Sequence, residues 1–108
     1  MDIDDKRLLL AERLDEFRHW SYDKLAAEID RTRDQHDCLK YFEGEHADGT
    51  EYCMEFNVFW DDKPGAALRV IGDLTTAPQR PWLGFLPIYT PDVSDDFIMR
   101  PDGTFVGE

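Results

Sequence analysis

Four side chains of the kind that bind zinc, His36, Cys38, His46 and Cys53, fall within one short stretch of the chain. A structural zinc site needs its donors in a tetrahedron, and its usual mark is a C-x-x-C or H-x3-H element that sets two of them on one turn. Neither element occurs. His36 and Cys38 are two apart and would share a strand face, but the other two would have to come from a loop and a different strand. The plainer reading is a pair of reduced cysteines, buried or half-buried, and no metal is expected. Nucleophilic cysteine chemistry needs a thiolate in a positive neighbourhood, yet both cysteines lie in the most acidic third of the chain, which raises a thiol's pKa. A Cys38–Cys53 disulfide would require the two to face each other across a strand pair, and a reducing compartment argues against it.

The carboxylates offer no better catalyst. Asp61-Asp62 and Asp95-Asp96 are adjacent pairs, and neighbours on a strand point to opposite faces, so neither pair makes a dyad. Asp102 is the ordinary Asp of a Pro-Asp-Gly turn. Arg69 stands mid-strand in Leu68-Arg69-Val70, on a face shared with Asn57 and Glu55. It is either an anion-binding group in a groove or, more simply, one partner of a cross-strand ion pair with Glu55. Trp60, Trp82, Phe85 and Tyr89 are candidates to line a pocket or to fill the core. Arg69, Trp60 and Trp82 form the candidate ligand-binding set. No P-loop, dinucleotide fingerprint, G-x-S-x-G, H-E-x-x-H or EF-hand pattern is present, so no catalytic residue and no cofactor is expected.

The charge balance says more about partners. Against 12 Lys and Arg stand 24 Asp and Glu, a formal net charge of −12. Such a chain repels nucleic acid and anionic membrane surfaces and attracts a basic protein or a cation. The acid is concentrated between positions 41 and 62, which hold Glu43, Glu45, Asp48, Glu51, Glu55, Asp61 and Asp62 and no Lys or Arg. Met1-Asp2-Ile3-Asp4-Asp5 lacks a basic leader, Leu8-Leu9-Leu10-Ala11 is too short for a signal core, and no apolar run approaches the ~20 residues of a membrane helix. The expected address is the cytoplasm.

These residues need elements to position them. In residues 4–18, Leu10, Leu14 and Phe17 recur at helical spacing with charges elsewhere, which predicts a helix with one apolar face. A second helix starts at Ser21, a capping residue, with Trp20 and Leu25 spaced as a hydrophobic staple and Leu25, Ala26 and Ile29 continuing the buried stripe. The charged segment 30–35 is expected to end it. From His36 the period becomes two. Tyr52, Met54, Phe56, Val58 and Trp60 alternate with Cys53, Glu55, Asn57 and Phe59, a strand with one face in the core. Residues 36–43 and 66–73 are expected to pair on its two sides. Pro78, Pro81 and Pro87 confine any strand near them to an edge or a short piece. Phe97-Ile98-Met99, the turn Arg100-Pro101-Asp102-Gly103 and Thr104-Phe105-Val106 close the chain as a hairpin. One α+β domain over 1–108 follows, with two N-terminal helices on one face of a curved antiparallel sheet of five or six strands.

The closing run Phe97-Ile98-Met99-Arg100-Pro101-Asp102-Gly103-Thr104-Phe105-Val106-Gly107-Glu108, with Leu68-Arg69-Val70 and the turn Phe59-Trp60-Asp61-Asp62-Lys63-Pro64-Gly65, resembles a group of small uncharacterised bacterial proteins. That resemblance implies a bacterial origin, N-terminal helices, a short sheet and one domain; it carries no activity or site. The leading expectation is a non-enzymatic, acidic interaction module of the bacterial cytoplasm, of the size of antitoxin or immunity proteins, with a basic protein as partner. The alternative is a small-molecule-binding domain or minor enzyme with a groove between helices and sheet around Arg69, Trp60 and Trp82. The chain is expected to be a monomer, or a homodimer through the second sheet face with Cys53 and Phe59 as apolar contacts.

Overall fold

The structure, a computed structural model, describes residues 1–76 and 91–108, together with the strand pairing of Trp82–Leu83 and Leu86–Pro87. Helix α1 spans Ile3–Arg18 and opens with a capping box, in which the Asp2 carboxylate accepts from the Asp5 N–H and the Asp5 carboxylate accepts from the Asp2 N–H. Helix α2 spans Tyr22–Gln35, and the Ser21 hydroxyl caps it by accepting from the Lys24 N–H at 3.1 Å. Trp20, one residue before the cap, packs its ring edge on Phe17 at 5.1 Å, which fixes the turn between the helices.

The charged segment 30–35 ends α2, as expected, and does so as its last turns. Its charges lie outside and pair along the helix, Arg33 with Asp30 at 3.2 Å and Arg31 with Glu28, while Ile29 and Thr32 face inward. The helix stops at His36, which sits in the left-handed region at φ 52° as its C-cap. His36 therefore begins no strand, and it shares no strand face with Cys38.

Strands β1 (Lys40–Glu45), β2 (Glu51–Trp60), β3 (Leu68–Thr76) and β6 (Val93–Met99) form one open antiparallel sheet in the order β1-β2-β3-β6. The sheet thus has four strands rather than five or six. Strands β4 (Trp82–Leu83) and β5 (Leu86–Pro87) pair only with each other, and Pro87 has no N–H to offer a longer ladder. The closing hairpin is reduced to one bridge, Met99 with Phe105, around a turn in which Gly103 donates to the Arg100 carbonyl at 2.9 Å and takes φ 86°.

Alternation divides the sheet. Met54, Phe56, Val58, Leu68, Val70, Leu74, Val93, Phe97 and Met99 form one apolar face, closed by Leu10, Leu14 and Phe17 of α1 and Leu25 and Ile29 of α2. Helix α1 crosses β3 and β6, and α2 lies over β2. At the centre, Gly72 leaves room for the Phe56 ring opposite: a Cβ there would lie 2.5 Å from that ring and 3.0 Å from Leu10. At the rim, the buried Asp92 carboxylate accepts from Lys6 Nζ of α1 and from the Thr76 hydroxyl, each at 2.8 Å, and the Asp92 N–H donates to the Leu74 carbonyl. No helix among the described residues is long and apolar enough to cross a membrane.

Candidate functional site

Among the described residues, no helix lies over the second face of the same sheet. Reading across the register, one row runs Tyr41, Glu55, Asp73, Ser94; the next outward runs Glu43, Cys53, Thr75; and the end row is Glu45, Glu51. Four of the seven carboxylates concentrated at positions 41–62 thus converge on this face, because Glu43 and Glu45, and Glu51 and Glu55, are separated by even numbers of residues along their strands. Asp73 joins them from β3. Glu45 stands directly opposite Glu51, and Glu55 directly opposite Asp73. Like charges in direct cross-strand register destabilise a sheet, so folding gains nothing from this arrangement.

Of the two apolar contacts expected here, Phe59 is 41% exposed, whereas Cys53 is buried. Cys53 lies between Glu43 and Thr75 and does not face Cys38 across the ladder; both cysteines are free thiols. The Cys38 thiol is pushed above its ordinary value, first by burial and then by Asp37 and Glu55. The Tyr41 hydroxyl, which donates to Glu43 at 3.0 Å, is raised by desolvation and by the neighbouring Cys53 and Glu43. A raised pKa favours the neutral form of each group, so neither adds charge to the face.

Arg69 is the one cation that β1, β2, β3 and β6 place on this face, and it is already occupied. Its Nε and Nη2 donate to Asp61 Oδ1 at 3.0 and 2.8 Å, and its Nη1 donates to Asp96. These partners, Asp61 first, hold the guanidinium above its ordinary pKa. Arg69 does share a face with Asn57 and Glu55, but Glu55 is not its partner: Arg69 stands opposite Phe59 in register, two rows from Glu55 and Asp73. The ion pair is bridged by one carboxylate from the β2–β3 turn and one from β6.

Trp60 projects from the opposite face, in register with Leu68, and its ring meets Tyr22 of α2 at 6.4 Å. The structure therefore does not bring Trp60 and Arg69 into one groove. The side chains of Trp82, Phe85 and Tyr89 lie outside the described residues. Among the described residues, two hollows lie elsewhere, along α1 and β6. One of about 430 Å³ is bounded by Glu12, Asp15, Arg18 and Asp95, and a neighbour of about 310 Å³ by Arg7, Leu10 and Val93. Among the described residues no three His, Cys, Asp or Glu side chains converge as a metal-binding group. Searches of protein-family models, curated protein sequences and solved structures find no match to the chain.

Proposed function

We propose that the protein is a non-enzymatic interaction module whose helix-free sheet face receives a basic protein, as antitoxin and immunity proteins receive theirs. One observation carries this reading: Glu43, Glu45, Glu51, Glu55 and Asp73 share that face, while Arg69, the one cation its four strands place there, is neutralised by Asp61 and Asp96. A field of one sign speeds encounter with an oppositely charged partner and makes the rate sensitive to salt.

The test separates this face from the acidity of the whole chain. Polylysine is titrated against the wild type, against a face variant (E43Q, E45Q, E51Q, E55Q) and against a helix variant carrying an equal charge change on exposed α1 positions (D4N, E12Q, D15N, E16Q). Binding at low salt that the face variant loses and the helix variant keeps is the expected result. Equal loss in both variants, or no binding by the wild type, would overturn it.

A second reading, a small-molecule-binding domain, draws on the two hollows along α1 and β6, where Arg7 and Asp95 offer opposite charges. A thermal-shift screen against metabolites tests it, because a ligand that binds only the folded state raises the midpoint. A midpoint shift that Asp95→Asn abolishes would favour that reading over the first.

A further inference from the structure

The two edges of the sheet are protected unequally. At the β6 edge the residues that follow cover the end of the strand: the Val106 N–H donates to the Ile98 carbonyl at 2.9 Å, Phe105 bridges Met99, and the Phe105 and Phe97 rings meet edge to face at 5.5 Å. Asp95, an exposed charge on the helix side of that edge strand, further discourages another strand from joining. Among the described residues the β1 edge has no such cover. The His46 N–H donates to the Thr50 carbonyl at 2.8 Å, and alternate residues of an antiparallel strand turn their backbone to the same side. Lys40, Phe42 and Gly44 therefore address β2, while the N–H and C=O groups of Tyr41, Glu43 and Glu45 point away from the sheet. Among the described residues these outward groups have no backbone partner, and the side chains of Tyr41, Glu43 and Glu45 are exposed.

An incoming strand would meet two different surfaces. On the acidic side its residues would stand opposite Tyr41, Glu43 and Glu45, with Glu51 and Glu55 one strand further in. On the helix side it would meet Phe42, half-buried beneath the Arg13 guanidinium, and the Tyr52 ring, which lies across Gly44 within 3.1 Å of where a Cβ would be. A second copy of this chain fits badly, because pairing β1 with β1 about Glu43 sets carboxylate against carboxylate.

Resting on the acidic-face reading, we propose that the β1 edge takes up an extended basic segment of the partner protein as an added antiparallel strand, with Lys or Arg alternating with apolar residues. The backbone groups of Tyr41, Glu43 and Glu45 supply the hydrogen bonds, the carboxylates select the basic side chains, and Phe42 and Tyr52 receive the apolar ones. In this geometry the partner residues whose basic side chains face Glu43 and Glu45 are also those whose amides point at β1.

That coupling gives the test a direction. A capped peptide of about ten residues alternating Lys and Val is the probe, compared with the same peptide N-methylated at its Lys amides or at its Val amides. Methylation at Lys removes the bonding donors and weakens binding by about tenfold or more, while methylation at Val leaves it within about twofold. Amide shifts concentrated in residues 40–45 accompany binding of the parent peptide. Equal effects of the two methylations, with affinity still lost in the face variant, would sink strand addition and leave the acidic-face reading standing. No binding of any cationic probe would sink both.

Discussion

The two faces of the sheet are built from the same strands, residue by alternate residue, yet they follow opposite rules. On the helix side, Phe56, Leu68, Val70 and Leu74 are wholly buried in one core with side chains from both helices. On the other side, carboxylates face carboxylates in register. Close packing makes the first face intolerant of a single methylene, in either direction. The second is held in place by its backbone and by the first, and it bears a charge arrangement that weakens the sheet slightly. The comparison shows which residues specify the fold and which are free for recognition.

Truncating the centre of the packed face has the largest expected effect. Phe56→Ala removes a ring that meets Phe17 at 5.1 Å and Phe42 at 5.8 Å, and it should cost about 3–5 kcal/mol in urea unfolding. A loss under ~1 kcal/mol would mean the two faces are not as different as their burial says. Adding a methyl at the same point comes next. Gly72→Ala drives a Cβ into the Phe56 ring and should cost about 1–3 kcal/mol by the same measurement.

On the acidic face the sign reverses. Glu55→Lys turns the Glu55–Asp73 repulsion into an attraction, so unfolding should become harder by under about 1 kcal/mol while affinity for a cationic probe falls. Stability and binding moving together would break the distinction. The smallest effect is in acid. Asp37, held low first by its hydrogen bond from Arg31, and Asp102, held low first by the Thr104 hydroxyl, both have carboxyl pKa values depressed below 3.8. A depressed carboxylate favours the folded state above its unfolded value, and that contribution is lost as pH falls through the folded value. The thermal midpoint should therefore drop below about pH 4, and by less in high salt because both groups are in solvent.

Much of this architecture could be read from residue spacing. Leu10, Leu14 and Phe17 announced α1, Ser21 and Trp20 the start of α2, and the alternation from Tyr52 to Trp60 the central strand. The charged residues at 30–35 suit a solvated helix face as well as a loop, and Ile29 and Thr32 packing inward shows that they close α2 as helix. Parity along β2 already separates Trp60, which goes with Phe56, from Asn57, whose face Arg69 shares. The same parity, applied to Glu43, Glu45, Glu51 and Glu55, was the signal for the acidic face. The Arg69 partners were less accessible, since Asp96 comes alongside only once β6 is placed in the sheet.

The carboxylate of Asp92 ties α1 to the end of β3 by taking hydrogen bonds from Lys6 and Thr76. Thr76 and Asp92 are 16 positions apart, so this one side chain fastens both ends of the chain between them to the core. Loss of the Asp92 carboxylate would therefore release the first helix, the end of β3 and the approach to β6 at once, so a single side chain sets how far helix and sheet can move apart.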